Sequence, residues 1–265
     1  MAYQIKEIGR NEIKDPVLIE GLPGIGNIGK IAVDFIIDDL KAKKIYEISS
    51  YNFPHAVFVN EKHLVELPTI EIYYKKINGK DILLLSGDIQ PIDEPSCYEF
   101  CEKVLDTVEK YGCKEIITIG GIGLQQIPQN PRVYCTANNS KIVEKYRSKN
   151  LHSNIYGVVG PIMGVTGLLV GLSKKRNINS IAFLAETFSH PNYLGIKGSG
   201  EVLKILDKKL NLRLDLKKLD SEINEIEKEM QPKEASTGKS SKFNENKFNE
   251  KLKKLAPDRI TDYIG

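Results

Sequence analysis

A chain of 265 residues, 41% of them hydrophobic, is long enough for one large α/β domain and can bury a substantial core. Its 38 basic and 35 acidic residues are interspersed and leave a formal net charge of +3, so no overall field or basic groove points to nucleic acid. Four cysteines at 97, 101, 113 and 135 form no disulfide framework, MAYQIKEIGR has no apolar signal region, and the most apolar span, 158–172, falls short of the ~20 residues a bilayer needs.

A cytoplasmic protein without membrane or nucleic-acid partners is therefore expected. Residues 1–16 read as an entry segment with an edge strand over 2–8. Val17 to Glu20 is a short apolar run with the character of a buried strand, broken by Gly21, Pro23, Gly24 and Gly26. From Asn27 the apolar residues Ile28, Ile31, Ala32, Phe35, Ile36 and Leu40 recur on one helical face.

This strand, turn and helix can be read in two ways. Gly24, Gly26 and Gly29 spell G-x-G-x-x-G, and Gly24, Gly29 and Lys30 nearly complete a P-loop, with Ile31 where a hydroxyl residue would stand. Glu47 lies near the position of a ribose-binding acid. Against a ligand, Pro23 removes one amide donor, and glycines also serve close packing of a helix on a strand.

Further along, 44–49 reads as a strand, and 57–59, 64–66 and 69–75 as short extended pieces of a hairpin insertion. In the loop that opens it, Phe53 is expected on the sheet and His55 in solvent. Asp81 to Ser86 and Glu115 to Ile119 are continuous apolar strands around a helix opened by Asp93, Glu94 and Pro95, the acids lying at the favourable end of its dipole. Cys97 and Cys101 lie i, i+4 on that helix, but no second ligand pair with zinc spacing follows.

Strands are then predicted over 132–136, 155–159 and 178–185. Helices are predicted over 140–148, capped by Asn138 to Ser140, over 163–173 with Gly164, Gly167 and Gly171 on one side, and from about Ser199. The repeating strand and helix units predict a mostly parallel sheet whose loops beyond the strand C-termini would hold any ligand. Glu186 and His190 offer the one acid/base pair an enzyme could use there, although no nucleophile motif accompanies them.

After Leu212 the pattern changes. Leu212, Leu216, Leu219, Ile223, Ile226 and Met230 keep an a/d spacing, so Leu216, Leu219, Ile223 and Ile226 are expected in a seam facing a partner or the chain's own body. Residues 231–247 have linker composition, and 248–265 form a tail segment with an amphipathic start. The organisation expected is a core over 1–211, a helix over 212–230, a linker and a tail.

The sequences EGLPGIGNIGK, GDIQP, GGIG, GPIMGVTGLLVGL and LAETFSHPNY together resemble the archaeal relatives of eukaryotic proteasome assembly chaperone 2, in order over roughly 15–230. The resemblance implies a three-layer α/β/α domain similar to nucleoside phosphorylases, with no catalytic residue, metal or cofactor. It implies a homo-oligomer, such as a ring, that helps assemble the 20S proteasome by contact with α subunits, or acts as a scaffold for other proteins. Some members end in hydrophobic-Tyr-any residue, whereas here Asp262 precedes Tyr263, which is followed by Ile264 and Gly265. A one-residue shift moves an extended peptide by about 3.3 Å and reverses its side chains, which favours the scaffold-like PbaA type over the α-ring-binding PbaB type, with Tyr263 and Ile264 as tail contacts.

Overall fold

The structure, a computed structural model, describes residues 3–9, 12–60, 62–155, 160–221 and 223. In chain order the elements are β1 (Tyr3–Glu7), β2 (Val17–Glu20), α1 (Ile28–Asp39), β3 (Lys43–Ser50), β4 (Phe58–Val59), β5 (Val65–Glu66), β6 (Ile70–Ile77) and β7 (Lys80–Gly87). They continue with α2 (Glu94–Glu109), β8 (Glu115–Leu124), β9 (Val133–Ala137), α3 (Ser140–Tyr146), β10 (Leu151–His152), α4 (Gly164–Ser173), β11 (Asn179–Phe188) and α5 (Ile196–Leu210).

Nine strands of the described residues form one sheet in the order β1-β3-β6-β7-β2-β8-β11-β9-β10. Its centre, β7-β2-β8-β11, is parallel, while β1, β3, β6 and β7 pair antiparallel in turn and β9 runs against β11. The sheet is mixed, which corrects the expectation of a mostly parallel one. The physical cause lies partly in Asn78 and Gly79, which both take positive φ, 49° and 79°. This two-residue turn matches the strand twist and folds β6 and β7 into a hairpin.

The parallel strands are buried on both faces, which is why they read as unbroken apolar runs. On one face Ile19, Leu84, Ile117, Ile181 and Phe183 meet α1, α3 and α5. On the other, Leu18, Leu83, Leu85 and Ile116 meet α2 and α4. The result is a three-layer α/β/α body. Helix starts follow their caps: the Asp93 carboxylate accepts from Ser96 N at 2.9 Å, and the Asn139 side chain from Ile142 N at 3.1 Å.

Phe53 packs edge-on against Tyr3 with ring centroids 5.9 Å apart, and His55 is exposed. Of the strand expected over 155–159 only Ile155 is among the described residues, and residues 156–159 lie outside them; the short β10 precedes it. The helical segment that begins at residue 216 lays Leu219 and Ile223 into the chain's own core, with Leu216 packed against it. A seam turned towards a partner would have to expose these side chains; they face α5 and the body instead. Ile226, Tyr263 and Ile264 lie outside the described residues.

The contact that sets α1 on the sheet is between backbones. A Cβ on Gly21 would stand 2.1 Å from the Gly29 carbonyl oxygen, and one on Gly29 would stand 2.4 Å from that of Ile119. Gly24 has open surroundings, with Gln90 Nε2 the nearest atom at 3.7 Å. Gly21→Ala and Gly29→Ala are each expected to destabilise the protein by about 1–3 kcal/mol through overpacking, and Gly24→Ala to leave it nearly unchanged. Urea unfolding of the three variants checks this ordering.

Candidate functional site

The loops beyond the C-terminal ends of β2, β7, β8 and β11 share one end of the sheet, where α/β proteins hold ligands. Several polar groups of the turn after β2 are already paired. Its Leu22 amide donates to Glu20 Oε1 at 3.1 Å, and Gly21 N donates to the Leu85 carbonyl at 3.0 Å. Asn27 N donates to Gly24 O at 2.9 Å, and the Gly26 carbonyl accepts from Gly195 N at 2.8 Å. Lys30, the residue that would reach a phosphate, pairs with Asp34 at 2.8 Å one helical turn on.

Beneath this turn Glu20 is fully buried. Thr166 on α4 donates its hydroxyl to Glu20 Oε2 at 3.3 Å, so the carboxyl group bridges the glycine turn and α4. Burial raises its pKa to about 8, against hydrogen bonds from Leu22, Thr166 and Ile119 that lower it. The side chain is thus a neutral acid at pH 7, serving as a cross-link between elements.

Glu186 and His190 do not form an acid/base pair. Glu186 accepts from Arg132 Nε and from the Arg132 main chain, both at 2.9 Å, forms an ion pair with Arg132 Nη2 at 2.7 Å, and accepts from the Tyr134 hydroxyl at 3.3 Å. Burial pushes this carboxyl up, and the Arg132 hydrogen bonds more than offset it, leaving it below the usual carboxylate range. His190 stacks on Phe188 with centroids 5.7 Å apart, and its Nδ1 accepts from Asn192 N at 3.3 Å. Cys97 and Cys101 are buried on α2, and no group of three His, Cys, Asp or Glu side chains among the described residues could hold a metal.

What this end does present is apolar, and one residue that the sequence reading did not single out organises it. Gln90, in the loop after β7, donates from Nε2 to the Pro23 carbonyl and accepts at Oε1 from Val165 N at 3.1 Å. Gly164 takes φ +74°, and a Cβ there would stand 2.6 Å from Gln90 Oε1. One amide thus ties the loops after β2 and β7 to the first turn of α4. Within two positions of each tie stands an exposed large side chain: Ile25 at 50%, Ile92 at 68% and Met163 at 78% exposure. The G-D-I-Q-P stretch was visible in the sequence, but nothing local shows that its glutamine reaches two loops distant in the chain.

The hairpin of β4 and β5 joins the same end, because β3 finishes and β6 begins beside Gly87. Val59 and Val65 face each other across it and are both exposed, as are Val57 and Leu67. Ile127, between β8 and β9, is exposed there too, whereas Ile8 lies at the opposite end. Exposed apolar groups concentrated at one end mark a surface that meets other proteins.

An α/β/α body whose exposed apolar residues gather at the loop end has the surface of a protein-binding module. The chain belongs to the PAC2 family, whose pattern matches residues 18–233. It is similar to the crystal structure of Pyrococcus furiosus PbaB, an archaeal proteasome activator, at 33% identity and a TM-score of 0.78 over 86% of this chain and 96% of that one. It also has the fold of P. furiosus PbaA, an archaeal homologue of proteasome-assembly chaperone, at 21% identity and a TM-score of 0.71 over 87% and 90%. An uncharacterized Methanocaldococcus jannaschii protein is 25% identical over the whole of both chains. The body is the more similar to PbaB on both measures; the expected leaning to PbaA rested on tail residues outside the described ones.

Because Glu20 binds its proton more tightly folded than unfolded, its contribution to stability is full below about pH 4.5 and falls as pH rises towards about 8. Glu20→Gln removes that dependence. Between these pH values the wild-type stability is expected to decline relative to the variant by an amount on the order of a few kcal/mol, read from urea midpoints across the pH series.

Proposed function

We propose that this chain is a non-enzymatic assembly chaperone or scaffold of the proteasome assembly chaperone kind, which self-associates and binds protein partners. Membership of the PAC2 family and the 33% identity to an archaeal proteasome activator carry the reading. The pairing of Lys30 with Asp34 and of Glu186 with Arg132 supports it, since both side chains are engaged within the chain. The partners proposed are 20S proteasome α subunits or another family member, in the cytoplasm. No helix among the described residues is long and apolar enough to cross a membrane.

The body supplies self-association and the C-terminal segment supplies reach, with Ile226, Tyr263 and Ile264 as proposed contacts. Leu216, Leu219 and Ile223 contribute by holding the helix from which that segment departs. Tethering would raise the tail's effective concentration once the body is engaged. The body's α/β/α architecture is proposed to be like that of nucleoside phosphorylases, without their chemistry.

Two measurements test it. In a pull-down with 20S α subunits, the full chain is expected to bind and a truncation after Gln231 to bind at least about tenfold more weakly, a loss of ~1.4 kcal/mol. Equal retention of both forms would place the contact on the body, and no retention of either would overturn the proteasome reading. Light scattering is expected to give a multiple of the 29.8 kDa chain mass, and a monomer would overturn self-association.

A further inference from the structure

The end of the described chain points back at the apolar loops. After α5, Leu214 N donates to Asp207 Oδ1 at 2.9 Å, Asp220 pairs with Lys204 at 3.1 Å, and Ile223 Cδ1 lies where a Cβ of Gly200 would be, at 2.6 Å. The partners step from 207 to 204 to 200, so this segment retraces α5 towards its first turn. That turn lies where β11 ends, at the Gln90 end of the sheet. Residue 223 therefore leaves 42 residues of chain that begin at this end of the body, on the α5 face of the sheet.

Those residues include Phe248, Leu252 and Leu255, spaced i, i+4, i+7, with Lys251, Lys253 and Lys254 against a single Glu250. The loop face has the complementary character. Ile92 is followed by exposed Asp93 and Glu94, exposed Tyr98 lies one turn further along α2, and Met163 stands at the start of α4. The 24 residues between Ile223 and Phe248 can span at most about 80 Å, far more than the ~17 Å radius of gyration of a body this size.

We infer that the chain's own segment 248–255 docks on the loop face around Ile92 and Met163 through Phe248, Leu252 and Leu255, with its lysines beside Asp93 and Glu94. This goes beyond the chaperone reading and does not depend on which protein is the client. A tethered segment sees its site at roughly millimolar effective concentration, so even millimolar intrinsic affinity keeps it about half occupied. The face is then covered until a stronger ligand displaces the segment.

The chain contains no tryptophan, so Phe248→Trp in the full chain makes a single reporter. Its emission is expected to be blue-shifted, and acrylamide quenching reduced at least about twofold, relative to a free peptide of residues 240–265 carrying the same tryptophan. Both effects should vanish with Ile92→Asp/Met163→Asp, should vanish with Leu252→Asp/Leu255→Asp, which leaves the body untouched, and should weaken in about 0.5 M salt as the charges are screened. A tryptophan as quenchable as in the free peptide, or one insensitive to the Ile92 and Met163 changes while urea midpoints show an intact body, overturns the inference. So does a signal that fades on dilution, because the face would then be covered by a second copy.

Discussion

The backbone contact of Gly21 and Gly29 with each other and with Ile119 governs the rest of the molecule. It lets the first turn of α1 lie directly on β2 and β8, closer than any side chain would permit. With α1 seated so low, the turn between strand and helix closes on itself through Asn27 and Gly24 and is pinned from above by Gly195. Gly29, one of the glycines that spell a phosphate-binding motif, thereby serves packing, while Gly24 does not. A phosphate loop needs amides pointing outward and a free lysine; here the amides of Leu22, Gly21 and Asn27 have carbonyl or carboxyl partners, and Lys30 is held by Asp34.

The same economy applies to the buried acids. Glu20 joins the turn to α4, Glu186 joins β11 to Arg132 and Tyr134, and Glu115 accepts from Lys145 and Tyr146 of α3. Each spans elements far apart in the chain; losing the partner of ion-paired Glu186 or Glu115 would leave an uncompensated buried charge at a cost of about 3–5 kcal/mol, and losing that of Glu20 would leave a buried carboxyl short of a hydrogen bond at about 1–3 kcal/mol. Residues that look catalytic in a sequence because they are acidic and follow a strand are here the cross-links of a fold. What separates the two roles is the partner.

Much of the body could be read from the chain because burial on both faces writes itself as unbroken apolar runs. β2, β7, β8 and β11 were all legible that way, as were the helices opened by Asp93 and Asn139 and the inward Phe53. The sense of the outer strands was not legible from periodicity, which carries no direction; the Asn78-Gly79 pair did hold that information, as a hairpin turn. Heptad-like spacing describes any helix with one apolar stripe, and within the described part of the a/d run after Leu212 the chain's own body supplies the surface for Leu216, Leu219 and Ile223. Gln90 could not be found locally, because its importance lies in Pro23 and Val165, 67 and 75 residues away.

The parallel centre of the sheet sends every crossover back underneath, so the connections that follow β2, β7, β8 and β11 must emerge together. In an enzyme that convergence gathers polar groups around a substrate. Here Gln90 is engaged at both ends of its amide, and the side chains left facing outward beside its ties are Ile25, Ile92 and Met163. Apolar surface left in water costs roughly 25 cal/mol for every Å² that could be buried. A fold that ties two loops and the start of α4 together by one glutamine and then exposes such residues beside each tie has a standing free-energy gain available to any protein segment that covers them. That gain, more than any reactive group, is what the loop end of this body offers.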